Sequence, residues 1–485
     1  MIEFIRQPLV IRPNPTRVLL RPFLPPPDSP RTLRILSRIL ALSEEEVAAQ
    51  LDDVLREFCD RHQKLRAIFI DRYDLISPIL PSDRPLSENR RQLIGAYFTN
   101  EYSLESAALF NPSIVPAPNQ DGVPEGAVRF YLSLRATGEG HISSITFRSG
   151  LAWANGSVEL APASRFVSEP RPIPNASYER DLFHRKLAEL GQDNATSRKI
   201  LSQLEEAFTL DQLRAAVAAH QRQFPQQEFA ITGERMILLA RSNYDVAFDP
   251  DGDISERIIF PFSPSESNGI EDARFTRFVD DDGTVTYFAT YTAYDGRVIL
   301  QQLLETQDFL NFATHTLNGP AVQNKGMALF PKKINGRYAM LSRQDNENIH
   351  LMFSDQLHFW HESHVIVRPR EPWEFVQLGN CGPPIETGRG WLVLTHGVGP
   401  MRKYCIGAIL LDLADPSRVI GRLSQPLIKP EGEEREGYVP NVVYTCGSLL
   451  HNHRLIIPYA LSDSATTFAS LAVDDLLDAM LDSGS

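Results

Sequence analysis

The 485-residue sequence predicts an all-β core with helical additions, and its internal repeats carry that prediction. Five segments share one plan: a strand of large apolar residues, a polar turn, and a second strand that often ends in Ser-Asp or in Asp followed by an aromatic. They begin near Tyr131, Tyr287, Tyr338, Trp391 and Leu455. Successive starts are mostly about fifty to sixty-five residues apart, the length of one four-stranded blade with its loops. The first gap is about a hundred residues longer, which marks an insertion. The repeats predict a five-bladed β-propeller over residues 101–480, with side chains from several blades meeting at the central channel. A β-sandwich is the competing architecture, but the repeat is too long for its single strands or hairpins.

Taken along the chain, residues 1–100 read as an N-terminal extension with helices. Leu33, Ile35, Leu36, Ile39, Leu40, Val47, Leu51, Val54, Leu55 and Phe58 recur at helical intervals, and Ser43 followed by Glu46 is a capping box, so two helices are expected over 31–62. A helical insertion is expected at about 176–225, with Leu182, Leu187, Leu190, Ile200, Leu204, Phe208 and Leu213 on its apolar face. Val285, Tyr287, Ala289 and Tyr291 alternate as on one face of a strand, which closes in an Asp295-Gly296 turn.

Composition excludes several partners. A net charge of −13 argues against nucleic acid, and no apolar run approaches membrane-spanning length. The opening residues lack the apolar stretch of a signal peptide, so a cytoplasmic location is the expectation, and the sequons at Asn155, Asn175 and Asn194 then mean nothing. Cys59, Cys381, Cys405 and Cys446 are scattered without a CxxC pair and are expected as reduced, buried or half-buried thiols. No metal ligand set is expected: His361-Glu-Ser-His364 lacks the HExxH spacing, and Asp249 to Asp253 lacks the downstream Glu of a calcium loop. The oligomeric state stays open, a homo-oligomer included.

The sharpest motif is Gly269-Ile-Glu-Asp-Ala-Arg274, followed by Tyr291-Thr-Ala-Tyr-Asp-Gly296. On an extended strand neighbouring side chains face opposite ways, so Glu271 and Asp272 are not expected to point into one cavity; one acts as an acid while the other holds the scaffold. The plain alternative is a polar loop with an exposed Glu271–Arg274 ion pair of little worth.

The two segments resemble the signature of glycoside hydrolase family 130, the mannoside phosphorylases and related mannosidases, with Ala273 where that family usually has Pro. Further ordered matches are Lys325 to Pro331, Lys333 to Tyr338, Ser342-Arg343, Gly382 to Thr387, Trp391 to Val398 and Gly437 to Val442. Weaker similarity lies at Asn111 to Ser113 and from Leu134 to Ser144.

Glycosidic cleavage needs a proton for the leaving oxygen and a nucleophile at the anomeric carbon. The resemblance implies Asp272 as the acid, its proton passing through the sugar's 3-hydroxyl. It implies that Asn111, Arg135, Arg274 and Asp463 hold the mannosyl unit, and that Lys325, Arg343, His396 and Tyr404 hold inorganic phosphate as co-substrate. No other cofactor is implied. The expected activity is an inverting phosphorylase of β-mannosides, β-1,2-mannobiose or short mannooligosaccharides, giving mannose 1-phosphate. One departure points elsewhere: Glu386 stands where the family usually has a phosphate-assisting Lys. A carboxylate there could activate water instead, making an inverting β-1,2-mannosidase with Glu386, Glu434 or Glu436 as base. A propeller that only binds glycans is the third reading.

Overall fold

A computed structural model describes residues 3–26, 29–81, 83–173, 177–224 and 227–482. The sequon at Asn175 and the ends of the expected insertion at 176 and 225 lie outside the described residues. The chain forms two compact units, one of Asn14–Ser106 with Ser164–Ser168, the other of Met1–Pro13, Ala107–Ala163 and Glu169–Ser485.

The smaller unit pairs the strand Val18–Pro22 with Thr99–Ser103 and carries the two expected helices, Pro30–Leu40 and Glu44–Phe58. Ser43 and Glu46 form the reciprocal capping box. Two more helices, Leu65–Ile76 and Glu88–Tyr97, were not expected. The first starts at Lys64 with no capping side chain, so it carries no local start signal. Leu36, Ile39, Val47, Leu93, Ile94 and Phe98 bury themselves together, and Arg17 meets Glu105 at 2.5 Å with both side chains fully buried.

The larger unit is mostly β. Its five larger sheets are wholly antiparallel. The first runs Ala108–Pro116, Ala127–Thr137, Ser143–Trp153, then Ile258–Ile259; the second Ile270–Val279, Val285–Tyr294, Ile299–Thr306, Asn311–Thr316, extended by Tyr244–Ala247 and Arg171–Ile173. The third runs Lys325–Leu329, Tyr338–Arg343, Ile349–Ser354, His364–Val367, and the fourth Gln377–Asn380, Gly390–Val398, Tyr404–Leu411, Val419–Arg422. The fifth runs Val443–Tyr444, Arg454–Leu461, Ala465–Ala472 and closes with the N-terminal strand Ile5–Ile11. Every repeat start read from the sequence falls in the second strand of a sheet.

Neighbouring sheets pack in order. Ala108–Pro116 lies against Ile270–Val279, Val285–Tyr294 against Lys325–Leu329, Tyr338–Arg343 against Gln377–Asn380, Tyr404–Leu411 against Val443–Tyr444, and Arg454–Leu461 against Ala108–Pro116. The chain is not all-β: Arg180–Glu189, Ala195–Leu201, Leu210–Gln223 and Gln227–Ala240 form a helical insertion that runs past its expected end, and Val473–Asp482 is a further helix. Leu187, Ile200, Leu204, Phe208 and Leu213 are buried in the insertion as their spacing predicts. Among the described residues no helix is long and apolar enough to cross a membrane.

The first strands of three sheets share one device. Pairing breaks register between Phe110 and Ser113, between Glu271 and Arg274, and between Lys325 and Ala328. Inside each break one residue has positive φ: Asn111 at 48°, Asp272 at 56° and Gly326 at 87°. Such bulges re-aim side chains at the ends of strands.

Candidate active site

Asp272 sits in one of these bulges, and its left-handed backbone cancels the strict alternation of a strand. Glu271 and Asp272 therefore reach the same guanidinium, against the expectation that they could not share a cavity. Arg135 donates from Nη1 to Asp272 Oδ1 at 3.3 Å and from Nη2 to Glu271 Oε1 at 3.1 Å. Asn111, itself left-handed, donates from Nδ2 to Asp272 Oδ1 at 2.6 Å. A strained non-glycine backbone costs roughly 1–3 kcal/mol and persists where the surroundings over-determine it.

Arg274 is buried and turned toward the protein. Its Nε donates to the Cys381 carbonyl at 2.8 Å, its Nη1 to the Asp272 carbonyl at 2.9 Å and its Nη2 to the Tyr444 hydroxyl at 3.0 Å. The exposed Glu271–Arg274 pair of the plain reading does not form. Arg274 Nη2 instead stands 3.8 Å from the Asp272 carboxylate, and Glu271 accepts from Lys325 Nζ at 2.5 Å.

Burial alone would push the Asp272 carboxyl up. Arg135, Arg274 and the Asn111 amide outweigh it and hold the group below the usual carboxylate range. Asp463, at φ 51° in the turn between the fifth sheet's second and third strands, behaves oppositely. Burial, then repulsion from Asp272, pushes its carboxyl up to about 6. The structure brings these two carboxylates, Asn111 and Arg135 together and pulls the acids' affinities for a proton apart.

Across from this cluster the charge balance changes. Lys325 and Arg343 are direct cross-strand partners, so like charges stand opposite each other. Lys325 has Glu271 as a counter-ion, whereas Arg343 has neutral partners. Its Nη1 lies 2.8 Å from His396 Nε2. With its amide oxygen turned to Arg343, Gln377 accepts from Nε at 3.0 Å and from Nη2 at 3.3 Å. An arginine has no lone pair to offer, so His396 Nε2 is the acceptor and its imidazole is neutral. Burial, reinforced by Arg343 and Arg274, pushes its pKa well below the usual value. The ring lies between Tyr444 at 4.9 Å and Tyr404 at 6.1 Å, centroid to centroid. Gly379 makes this packing possible: a Cβ there would stand 2.5 Å from His396 Cε1 and 2.9 Å from Arg343 Cδ.

The three candidate bases are not brought to this cluster. Glu386 pairs across from Trp391, near the far end of the strand from His396, and its exposed carboxylate accepts from Lys332 at 2.7 Å. The carboxylate that replaces the family's phosphate-assisting Lys thus has its own lysine at the sheet's edge. Glu434 accepts from the Tyr459 hydroxyl at 2.8 Å and from Arg6 Nε at 3.1 Å, which ties it to the fifth sheet. Glu436 is exposed. Among other motifs, His361 and Glu362 are exposed, and Asp253 caps a short helix through Ser255 at 2.8 Å. Cys381, Cys405 and Cys446 are buried free thiols, but Cys59 is exposed, unlike its expectation.

A family profile described as beta-1,4-mannooligosaccharide phosphorylase, of glycoside hydrolase family 130, matches residues 239–482. The chain belongs to that family. A 1,2-beta-oligomannan phosphorylase of Thermoanaerobacter sp. is 36% identical over 215 residues, 44% of this chain and 71% of that protein. A beta-1,2-mannobiose phosphorylase of Listeria innocua serovar 6a is 31% identical over 255 residues, 51% of this chain and 69% of that protein. The solved structure of a Listeria innocua beta-1,2-mannobiose phosphorylase with beta-1,2-mannobiose aligns with a TM-score of 0.46 at 22% identity, covering 77% of this chain and 92% of that one.

In this family 130 protein the residues that sequence reasoning missed are mostly neutral. Gln377 and Tyr444 orient the two central guanidiniums, and Ser113 Oγ accepts from the Phe275 N–H at 3.0 Å just past the Asp272 bulge. None carries a charge; Ser113 closes the weakly similar Asn111 to Ser113 segment, while Gln377 and Tyr444 stand in no motif that would single them out.

Proposed function

We propose that this protein is an inverting phosphorylase that cleaves β-mannosidic bonds, β-1,2-mannobiose or short mannooligosaccharides, with inorganic phosphate to give mannose 1-phosphate. The observation that carries the reading is Arg343, a cation whose partners are neutral, directly across from Lys325. A phosphate would relieve like charges that otherwise face each other, through bidentate and charge-assisted hydrogen bonds. The names of the relatives support the same reaction class, and the two that are 36% identical favour the β-1,2 linkage. We further read the five sheets, each packed on the next, as the blades of a five-bladed β-propeller with the site at its centre.

In this reading a phosphate oxygen bonds to the anomeric carbon from the Arg343 side, and the glycosidic oxygen leaves toward Asp272 and takes a proton from it, through the sugar's 3-hydroxyl. Asp272 is ionised in the free protein, so it takes up that proton on binding; hydrogen phosphate brings into the reaction the proton that the leaving group carries away. Arg135, Asn111 and Asp463 border the mannosyl unit, while Arg274 acts mainly by fixing Asp272. The chemistry calls for no cofactor beyond phosphate. The hydrolase reading loses its support because Glu386, Glu434 and Glu436 are exposed or engaged elsewhere.

The test is product analysis from β-1,2-mannobiose with and without phosphate. Mannose 1-phosphate formed only with phosphate is expected; free mannose released at a rate indifferent to phosphate would refute the phosphorylase.

A further inference from the structure

A second cluster of chemically competent side chains lies away from the reaction site, on the third and fourth strands of the second sheet. Glu305 lies on Ile299–Thr306 opposite Ala313, and His315 is two residues past Ala313 on Asn311–Thr316. With a period of two, Glu305 and His315 stand on the same face of adjacent strands. Asp245 is Ala313's partner on the other side and shares that face. A third sheet's loop brings His358 onto it. The His358 carbonyl accepts from the Asn318 backbone at 2.9 Å and from its Nδ2 at 3.2 Å, and Trp360 returns a bond to the Asn318 carbonyl at 2.8 Å. The two imidazole rings lie 4.8 Å apart.

Donor atoms of Glu305, His315 and His358 all lie within 4.8 Å of one another. His358 Nε2 is buried and has no hydrogen-bond partner. Both histidines border an open cavity with Tyr178, Lys186, Asn243 and Asn318, so a ligand from solvent could complete the set. Lys186, the cation in that wall, is committed to Glu189 and to the Leu317 carbonyl, each at 2.9 Å. Burial pushes both imidazoles down, His358 to about 4, which leaves their lone pairs free.

We propose that Glu305, His315 and His358 bind a divalent transition metal of the zinc class, clamping the second sheet to the loop of the third. Two imidazoles and a carboxylate suit zinc, with a fourth position open to the cavity, and do not suit calcium or magnesium, which take oxygen ligands. Side-chain rotations that bring the donors to about 2.0–2.2 Å from a shared ion complete the geometry. The strand carrying Asp272 lies two strands away from Glu305 and three from His315, so the ion is a structural clamp and takes no part in mannoside cleavage.

The full-length protein, stripped with a chelator and dialysed, is titrated with Zn2+ against a chromophoric zinc indicator. One equivalent per chain is expected, weakened roughly 100-fold in His315→Ala and in His358→Ala and about 10-fold in Glu305→Gln. His361→Ala and His364→Ala, on neighbouring exposed residues, leave it unchanged. Zinc raises the unfolding midpoint of the wild type and not of the histidine variants. A Co2+ titration of the wild type, read by the visible absorption of a low-coordinate imidazole-carboxylate site, serves should a variant fail to fold. No stoichiometric binding by wild type, no such Co2+ spectrum, or binding that survives the His315→Ala/His358→Ala double substitution overturns the proposal.

Discussion

The two sides of the site handle charge differently. Around Asp272 every ionised group has an opposite: Arg135 bridges Glu271 and Asp272, Asn111 adds a neutral donor, and Arg274 stands behind. Around Arg343 the partners are Gln377 and a neutral His396, and the nearest residue across the strand is another cation. A matched cluster holds a carboxylate in place for proton transfer, whereas a cation among neutral partners is prepared for an anion from outside. Under the proposed function one side takes the sugar and the other phosphate, and that asymmetry can be broken from either end.

The largest effect is expected at the matched side. Asp272→Asn should lower kcat/KM by about 10³-fold or more, the scale of a lost general acid. Next, Gln377→Glu would give Arg343 a counter-ion. KM for phosphate should rise about 10-fold or more, in line with a weakened charge-assisted contact, and KM for the sugar should change little. Equal losses for both substrates would contradict the division of the site.

Asp463 sharpens the comparison through pH. Its folded carboxyl is raised to about 6, above the unfolded value, so its contribution to stability is full below the unfolded pKa and is lost as pH rises through about 6. Asp463→Asn, which also suits the left-handed backbone, removes that loss. The variant should be more stable than wild type at pH 8 by roughly 1–3 kcal/mol and indistinguishable from it near pH 3 in denaturant melts. Gly379→Ala should cost a similar or smaller amount, about 1–3 kcal/mol of overpacking, and disturb phosphate use before sugar binding because it pushes on Arg343 and His396. Glu386→Gln is the smallest: steady-state rates should stay unchanged, since its partner is Lys332 at the surface.

Much of the architecture was legible because each sheet's second strand is an apolar run closed by a polar turn, and such runs mostly recur about fifty to sixty-five residues apart. The charged residues of the site were legible for a similar reason: Asp272, Arg274, Lys325 and Arg343 sit in distinctive short segments. Their surroundings were not. The alternation rule failed at Asp272 because an aspartate tolerates a left-handed backbone that no residue pattern announces. Glu386 looked decisive by position but belongs to the edge hairpin of Ile385–Thr387, where its carboxylate meets Lys332. Gln377 and Tyr444 are neutral and isolated in sequence, and Glu305, His315 and His358 are joined only by strand register and a loop of the next sheet. The helix Leu65–Ile76 went unseen for want of a capping side chain.

The most direct test of the account is the phosphate dependence of β-1,2-mannobiose cleavage in wild type and Arg343→Gln. The account predicts saturable mannose 1-phosphate formation in the wild type and a KM for phosphate at least about 10-fold higher in the variant, with KM for the disaccharide nearly unchanged. A variant that keeps the wild-type phosphate dependence would contradict it.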